Sequence, residues 1–124
     1  MMVNRFVLLF CLFLFLFSVP VFSQKPVLTD EEIVIQTVTN EMDALFQSKD
    51  FLKQKGKKFP TVSGTIITDI GIIESGKVAT FFKVESNIDN PLFTNFISDY
   101  IIEYKFNFKL QKKQRYKIRY TVTF

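Results

Sequence analysis

The last eleven residues, Gln114–Phe124, constrain the fold more than any other stretch. Tyr116, Ile118, Tyr120, Val122 and Phe124 alternate without a slip with Arg115, Lys117, Arg119, Thr121 and Thr123. Successive side chains on a strand point to opposite faces, so this is a β-strand with one apolar face and one basic, solvated face. A strand of this kind must lay its apolar face against other elements, and the rest of the chain is read for what supplies them.

The chain opens differently. Met1–Arg5 carries one positive charge, Phe6–Phe17 is continuously apolar, and Val21 and Ser23 occupy the −3 and −1 positions of a cut before Gln24. This is the layout of a secretory signal peptide over residues 1–23. Read as an uncleaved anchor, Phe6–Phe22 is near the minimum for a membrane span, and Ser18 and Pro20 interrupt it. Cleavage is therefore expected, with a periplasmic or secreted product; membrane attachment is expected only if the segment is retained. Cys11 leaves with the signal, so an exported domain starting at Gln24 has no disulfide and is held by packing alone.

From Gln24 two segments are expected. Residues 24–58 read as an N-terminal helical segment and residues 59–124 as an α+β domain. Leu28-Thr29-Asp30-Glu31-Glu32-Ile33 is a helix start, with Thr29 as cap, Glu32 reaching back, and Leu28 and Ile33 as a hydrophobic staple. Val34, Val38, Met42 and Leu45 mark the buried stripe of a helix expected to reach about Ser48. Asp50–Lys53 adds a turn, and Lys55-Gly56-Lys57-Lys58 is expected to break it.

Gly64–Ile73 is apolar enough on both sides to be a central strand, with Ile66, Thr68, Ile70 and Ile72 on one face. Glu74-Ser75-Gly76-Lys77 is a hairpin turn, and Val78–Ser86 returns, with Val78, Thr80, Phe82 and Val84 expected on the main face and Phe81 opposite. Asn90 caps and Pro91 starts a helix to about Tyr104, whose apolar residues Phe93, Phe96, Ile97, Tyr100, Ile101 and Tyr104 recur at three- and four-residue steps. The hairpin makes the first two strands antiparallel, and the helical crossover makes the second and third parallel. A three-stranded antiparallel sheet of order 2-1-3 satisfies both, with a helix before it and a helix between strands 2 and 3.

This order resembles the C-terminal domain of TonB, the periplasmic protein of Gram-negative bacteria that couples inner-membrane energy to outer-membrane transporters. The resemblance covers Gly64–Phe124: Gly64-Thr65-Ile66 and Gly76-Lys77-Val78 stand as the two Gly-x-apolar starts, Tyr104-Lys105-Phe106 as the aromatic-x-aromatic helix end, and Arg115–Phe124 as the alternating last strand. Phe59-Pro60 matches the family's aromatic-proline pair but stands closer to Gly64 than is usual, and Tyr104 replaces the usual Trp. Residues 24–59 hold too few prolines to form the family's periplasm-spanning arm, so the domain is expected to be free-standing.

The resemblance implies a non-enzymatic protein-interaction module that takes up an extended partner segment beside its last strand, possible partners being outer-membrane transporters and a second copy of the chain. The residues implied are Arg115, Tyr116, Lys117, Ile118, Arg119, Tyr120, Thr121 and Val122, with Phe59 and Pro60. Lys117 and Arg119 suit an acidic partner.

The residues themselves point away from catalysis. Without histidine anywhere and without cysteine after Cys11, thiol, histidine-assisted and most zinc chemistry is excluded, and no cofactor or metal is expected. Asp69, a carboxylate within the central strand, reads as a solvated-face residue paired with Lys83 or Lys117. Residues 105–124 carry seven basic and no acidic side chains. Because several alternate along one strand, the basic face reads as a solvated guard on an edge rather than a nucleic-acid surface. The competing functional class is a small cystatin-like exported domain that binds a ligand or inhibits an enzyme, in which a pocket would lie between helix and sheet.

Overall fold

The computed structural model describes residues 24–124; residues 1–23, the segment expected to be a signal peptide, lie outside the described residues. Three helices cover one face of a three-stranded antiparallel sheet. In chain order the elements are β1 (Val27–Leu28), α1 (Glu31–Phe46), α2 (Lys49–Lys58), β2 (Thr65–Ile72), β3 (Val78–Ser86), α3 (Pro91–Glu103), β4 (Lys109–Leu110) and β5 (Tyr116–Thr123). The sheet runs β3-β2-β5, which is the 2-1-3 order expected from the hairpin and the crossover. Among the described residues no helix is long and apolar enough to cross a membrane.

The core is built from α1, α2, α3 and the inner face of the sheet. Val34, Val38 and Met42 of α1, Phe51 of α2, and Phe93, Ile97 and Ile101 of α3 are fully buried against Ile66 and Ile70. Thr68 is also fully buried, and its hydroxyl donates to the Tyr120 carbonyl at 2.9 Å, which removes the cost of an unpaired polar group. Phe51 sits at the centre of an aromatic cluster, with ring centroids 4.9 Å from Phe46, 5.1 Å from Tyr100 and 5.7 Å from Phe96. Residues 24–58 thus share one core with residues 59–124.

Helix α3 starts at Pro91 behind the Asn90 cap as expected, but α1 begins one residue later and ends sooner than the sequence signals suggested, and α2 extends further. Asp30, not Thr29, caps α1: its carboxylate accepts from the Glu32 N–H at 2.9 Å. A full negative charge there also complements the helix dipole, which a threonine hydroxyl does not. Ile33 is 49% exposed and forms no staple, because Leu28 is drawn into β1 instead. The helix ends at Phe46, and Ser48 caps α2 by accepting from the Phe51 N–H at 3.2 Å. The stretch expected to break is helical through Lys58: Gly56 is exposed with open space around it, so its penalty is one of propensity alone, and buried Phe51 anchors the helix. Replacement of Ser48 by alanine is expected to cost about 1 kcal/mol in urea unfolding, the usual value of a lost N-cap.

Strand β3 departs from simple alternation. Gly71 pairs with Thr80 but Ile72 with Val78, and Ile67 pairs with Glu85 but Thr68 with Lys83, so β3 bulges at Ala79 and at Val84. The first bulge inverts the expected faces: Phe81 pairs with Ile70 and packs on the core, whereas Phe82 pairs with Asp69 on the open face and is 57% exposed. The exposed aromatic of the far face is therefore Phe82, not Phe81.

The chain after α3 is held from two sides. Phe106 and Phe108 are buried, and β4 pairs in parallel with β1, Val27 opposite Lys109 and Leu28 opposite Leu110. On its other side this segment is bonded to the β2–β3 turn: the Phe106 N–H donates to the Gly76 carbonyl at 3.0 Å and the Leu110 N–H to the Glu74 carbonyl at 2.9 Å. Gly76 has φ +84°, the conformation the turn requires.

Candidate interaction edge

Strand β5 occupies one edge of the sheet. Its apolar face is anchored from α1: the Tyr120 hydroxyl donates to the Asp43 carboxylate at 2.7 Å, and the Tyr120 and Phe46 rings stack with centroids 6.2 Å apart. Burial and the Asp43 carboxylate both raise the Tyr120 phenol above its ordinary value. A parallel tether ends α3, where the Tyr104 hydroxyl donates to Glu41 at 2.7 Å; burial and that carboxylate raise its phenol too. The same Glu41 oxygen accepts from the Asn107 backbone N–H and side-chain amide, each at 3.1 Å.

The hydrogen-bond phase of β5 decides which of its residues can meet a partner. Gly64 and Phe124 exchange both backbone bonds, at 3.1 and 2.8 Å. In an antiparallel ladder such pairs alternate with non-bonded ones, so Val122, Tyr120, Ile118 and Tyr116 also face β2 with their peptide groups. The N–H and C=O groups of Lys117, Arg119, Thr121 and Thr123 therefore point away from the sheet, and no hydrogen bond from the described residues reaches them. The pairing of β5 with β2 runs without a register shift from Thr65–Thr123 to Ile72–Tyr116. The opposite edge, β3, carries both bulges, a feature that blunts an edge against further pairing.

The ten residues singled out in the sequence divide accordingly. Lys117, Arg119 and Thr121 present both backbone and side chain outward, and Arg115 is exposed just before the strand. Ile118, Tyr120 and Val122 have buried side chains and inward peptide groups, and Tyr116 is half-buried; they shape the edge from within. Phe59 caps the end of α2 and packs on Phe93 and Phe96, with both centroids at 5.2 Å, while Pro60 is exposed. Thr123 belongs with the outward set, as the ladder phase fixed by the Gly64–Phe124 pair shows.

Asp69 is paired with Lys117, one of the two residues expected, and more closely with Arg119, which was not. Arg119 grips it with two hydrogen bonds, Nε at 3.1 Å and Nη2 at 3.3 Å, while Lys117 Nζ lies at 3.9 Å. The register places Arg119 directly opposite Asp69, whereas Lys83 falls opposite Thr68 on the other face. The Arg119 hydrogen bonds hold the Asp69 carboxyl below its ordinary value. Lys117 also lies 5.7 Å from the Phe82 ring centroid. Beside it the open face has a shallow depression of about 300 Å³ lined by Gly71, Thr80, Phe82, Tyr116 and Lys117. No group of three or more His, Cys, Asp or Glu side chains converges as a metal site among the described residues.

Comparison with family models, with curated proteins and with solved structures finds no match.

Proposed function

We propose that the chain is an exported protein-interaction module that adds an extended segment of a partner protein beside β5. The observation that carries this reading is the edge itself: an unbulged strand whose outward N–H and C=O groups have no partner among the described residues. Main-chain hydrogen bonds along such an edge supply affinity, and flanking side chains set register. The 2-1-3 sheet with its crossover helix supports a TonB-C-terminal-like reading, as do the places of Gly64 before β2 and Gly76 in the hairpin turn. On that reading the partner is an extended segment of an outer-membrane transporter, and self-pairing through the same edge is the homodimeric form. A ligand carrier would need room between α3 and the sheet, and there Phe93, Ile97 and Ile101 are fully buried.

The internal ion pair refines the charge argument. Arg119 and, more loosely, Lys117 are engaged by Asp69, so Arg115 is the exposed cation nearer to hand for an acidic side chain on the partner. The test is nuclear magnetic resonance with a synthetic extended peptide from a transporter plug. The amides of Lys117, Arg119, Thr121 and Thr123 are expected to shift and gain exchange protection, while those of Ile118, Tyr120 and Val122 change little. Thr121→Pro removes an outward N–H without touching the β2 ladder, so it should abolish peptide binding at a stability cost below about 1 kcal/mol. Peptide binding that survives this substitution, or shifts confined to β3, would refute pairing at β5.

A further inference from the structure

We infer that the segment added beside β5 carries its basic and acidic side chains on opposite faces, an arginine toward α1 and a carboxylate toward the open face of the sheet. This rests on the proposed pairing at β5 and names the chemistry of its partner. The edge is roofed on one side. Although β5 is an edge strand, the side chains of Ile118, Tyr120 and Val122 are buried, and Tyr120 meets Phe46 and Asp43 of α1 above it. Glu41 and Asp43 are two residues apart on α1, about 200° around its axis, and so lie on opposite flanks. The Glu41 flank faces Tyr104 and Asn107, at the end of α3 and beyond it. The Asp43 flank is therefore turned away from α3, over the β5 edge.

The two sides of this edge differ in charge. Above it, Asp43 is exposed and in no ion pair among the described residues. Its Oδ1 accepts from Tyr120, and its Oδ2 has no hydrogen-bond partner among the described residues. The exposed residues one and two turns away on that flank, Gln36, Asn40 and Gln47, are uncharged. Below it, on the open face, Lys117 and Arg119 share the Asp69 carboxylate, Arg119 through two hydrogen bonds and Lys117 at 3.9 Å. Arg115 lines the same open-face depression as Phe82 and is in no ion pair among the described residues. A carboxylate above and surplus positive charge below thus flank the outward peptide groups of β5.

The peptide groups of Tyr120 face β2, so a partner residue opposite Tyr120 forms the non-hydrogen-bonded, closer kind of pair, with its side chain on the α1 side. An arginine there is about as long as the tyrosine. Its guanidinium lies against the ring and reaches the carboxylate that the tyrosine hydroxyl reaches. Partner residues opposite Arg119, Lys117 and Arg115 stand on the other side. In an antiparallel pairing they follow the arginine by one, three and five positions. Arg119 is held by Asp69, which leaves the third and the fifth for a carboxylate. Both separations are odd, because side chains alternate along a strand, and sliding the partner along the edge cannot change that parity. A segment with the two charges an even number of residues apart puts both on one side, where one of them meets its like charge.

The experiment is a nuclear magnetic resonance titration with two synthetic peptides of one composition. Both are rich in threonine and valine, have blocked termini, and carry one arginine and one glutamate. In one peptide the glutamate follows the arginine by five residues, in the other by four. The first is expected to bind at least about fivefold more tightly. Asp43→Asn keeps an oxygen for the Tyr120 hydroxyl and removes the charge, so it should reduce that preference to less than about twofold. Asp99→Asn on α3 removes the same charge away from the edge and should leave the preference intact. Amides of Lys117, Arg119, Thr121 and Thr123 that shift equally well with both peptides would overturn the inference and leave pairing at β5 standing. A preference that survives Asp43→Asn would also overturn it. No shift of those amides with either peptide would remove the pairing itself, and the inference with it.

Discussion

Gly76→Ala is expected to destabilise the protein by about 3 kcal/mol, lowering the melting temperature by roughly 15 °C. Two costs add. The residue sits at φ +84°, a conformation that penalises any β-carbon. A β-carbon there would also run into the Phe108 carbonyl oxygen and crowd the Phe106 carbonyl oxygen. Both obstacles are backbone, so relief requires the whole 106–110 segment to back away from the turn. That movement would strain the Phe106–Gly76 and Leu110–Glu74 bonds and loosen β4 from β1. Gly56→Ala is the matched control. It lies in an exposed helical turn with nothing near its missing side chain, so alanine there should stabilise by up to about 1 kcal/mol. Denaturant unfolding of the two variants measures the contrast. A loss below about 1 kcal/mol for Gly76→Ala would mean that the post-α3 segment is not held against the turn.

The elements that were legible from sequence are those whose signals are local and repeat. The alternation of Tyr116–Phe124, the Asn90-Pro91 start of α3 and the Gly76 turn each fix one element by short-range chemistry, and together they dictated the β3-β2-β5 order. What escaped was set by tertiary context. The bulge at Ala79 leaves no mark in a run where Phe81 and Phe82 stand side by side and either can face the core, yet it exchanges their roles. The persistence of α2 through Gly56 depends on Phe51 finding four aromatic neighbours in Phe46, Phe96, Tyr100 and Phe124, which no local propensity encodes.

The edge was legible in outline and not in detail. Alternation showed which side chains are solvated. It could not show which peptide groups face outward, because that depends on register against β2, and the Asp69–Arg119 pair depends on the same register.

Alkaline pH is expected to unfold the protein through Tyr104 and Tyr120. Both hydroxyls donate to carboxylates of α1, Glu41 and Asp43, and burial together with those carboxylates raises both phenols above the ordinary value near 10. The sign follows from linkage. A group held in its neutral form by the fold contributes stability that is fully present below its unfolded pKa. That stability is lost as pH rises from there toward the folded value, because the unfolded chain releases its proton first. Each such tyrosine therefore costs about 1.4 kcal/mol per pH unit above 10, and the two together cost about 2.7 kcal/mol per unit. Tyr100, which donates to Asp50 at 2.9 Å and is also raised, adds a smaller loss at the start of the range. By pH 12 the accumulated loss is about 5 kcal/mol, comparable with the whole stability of a small domain. Urea unfolding between pH 9 and pH 12 measures the slope, and phenolate absorbance reports ionisation in the folded state. Tyr120→Phe should cost about 1 kcal/mol at neutral pH and roughly halve the alkaline slope. Phenolate absorbance that develops near pH 10 with no loss of stability would show that neither hydroxyl is held by its carboxylate. A slope unchanged by Tyr120→Phe would remove Asp43 as the anchor of β5.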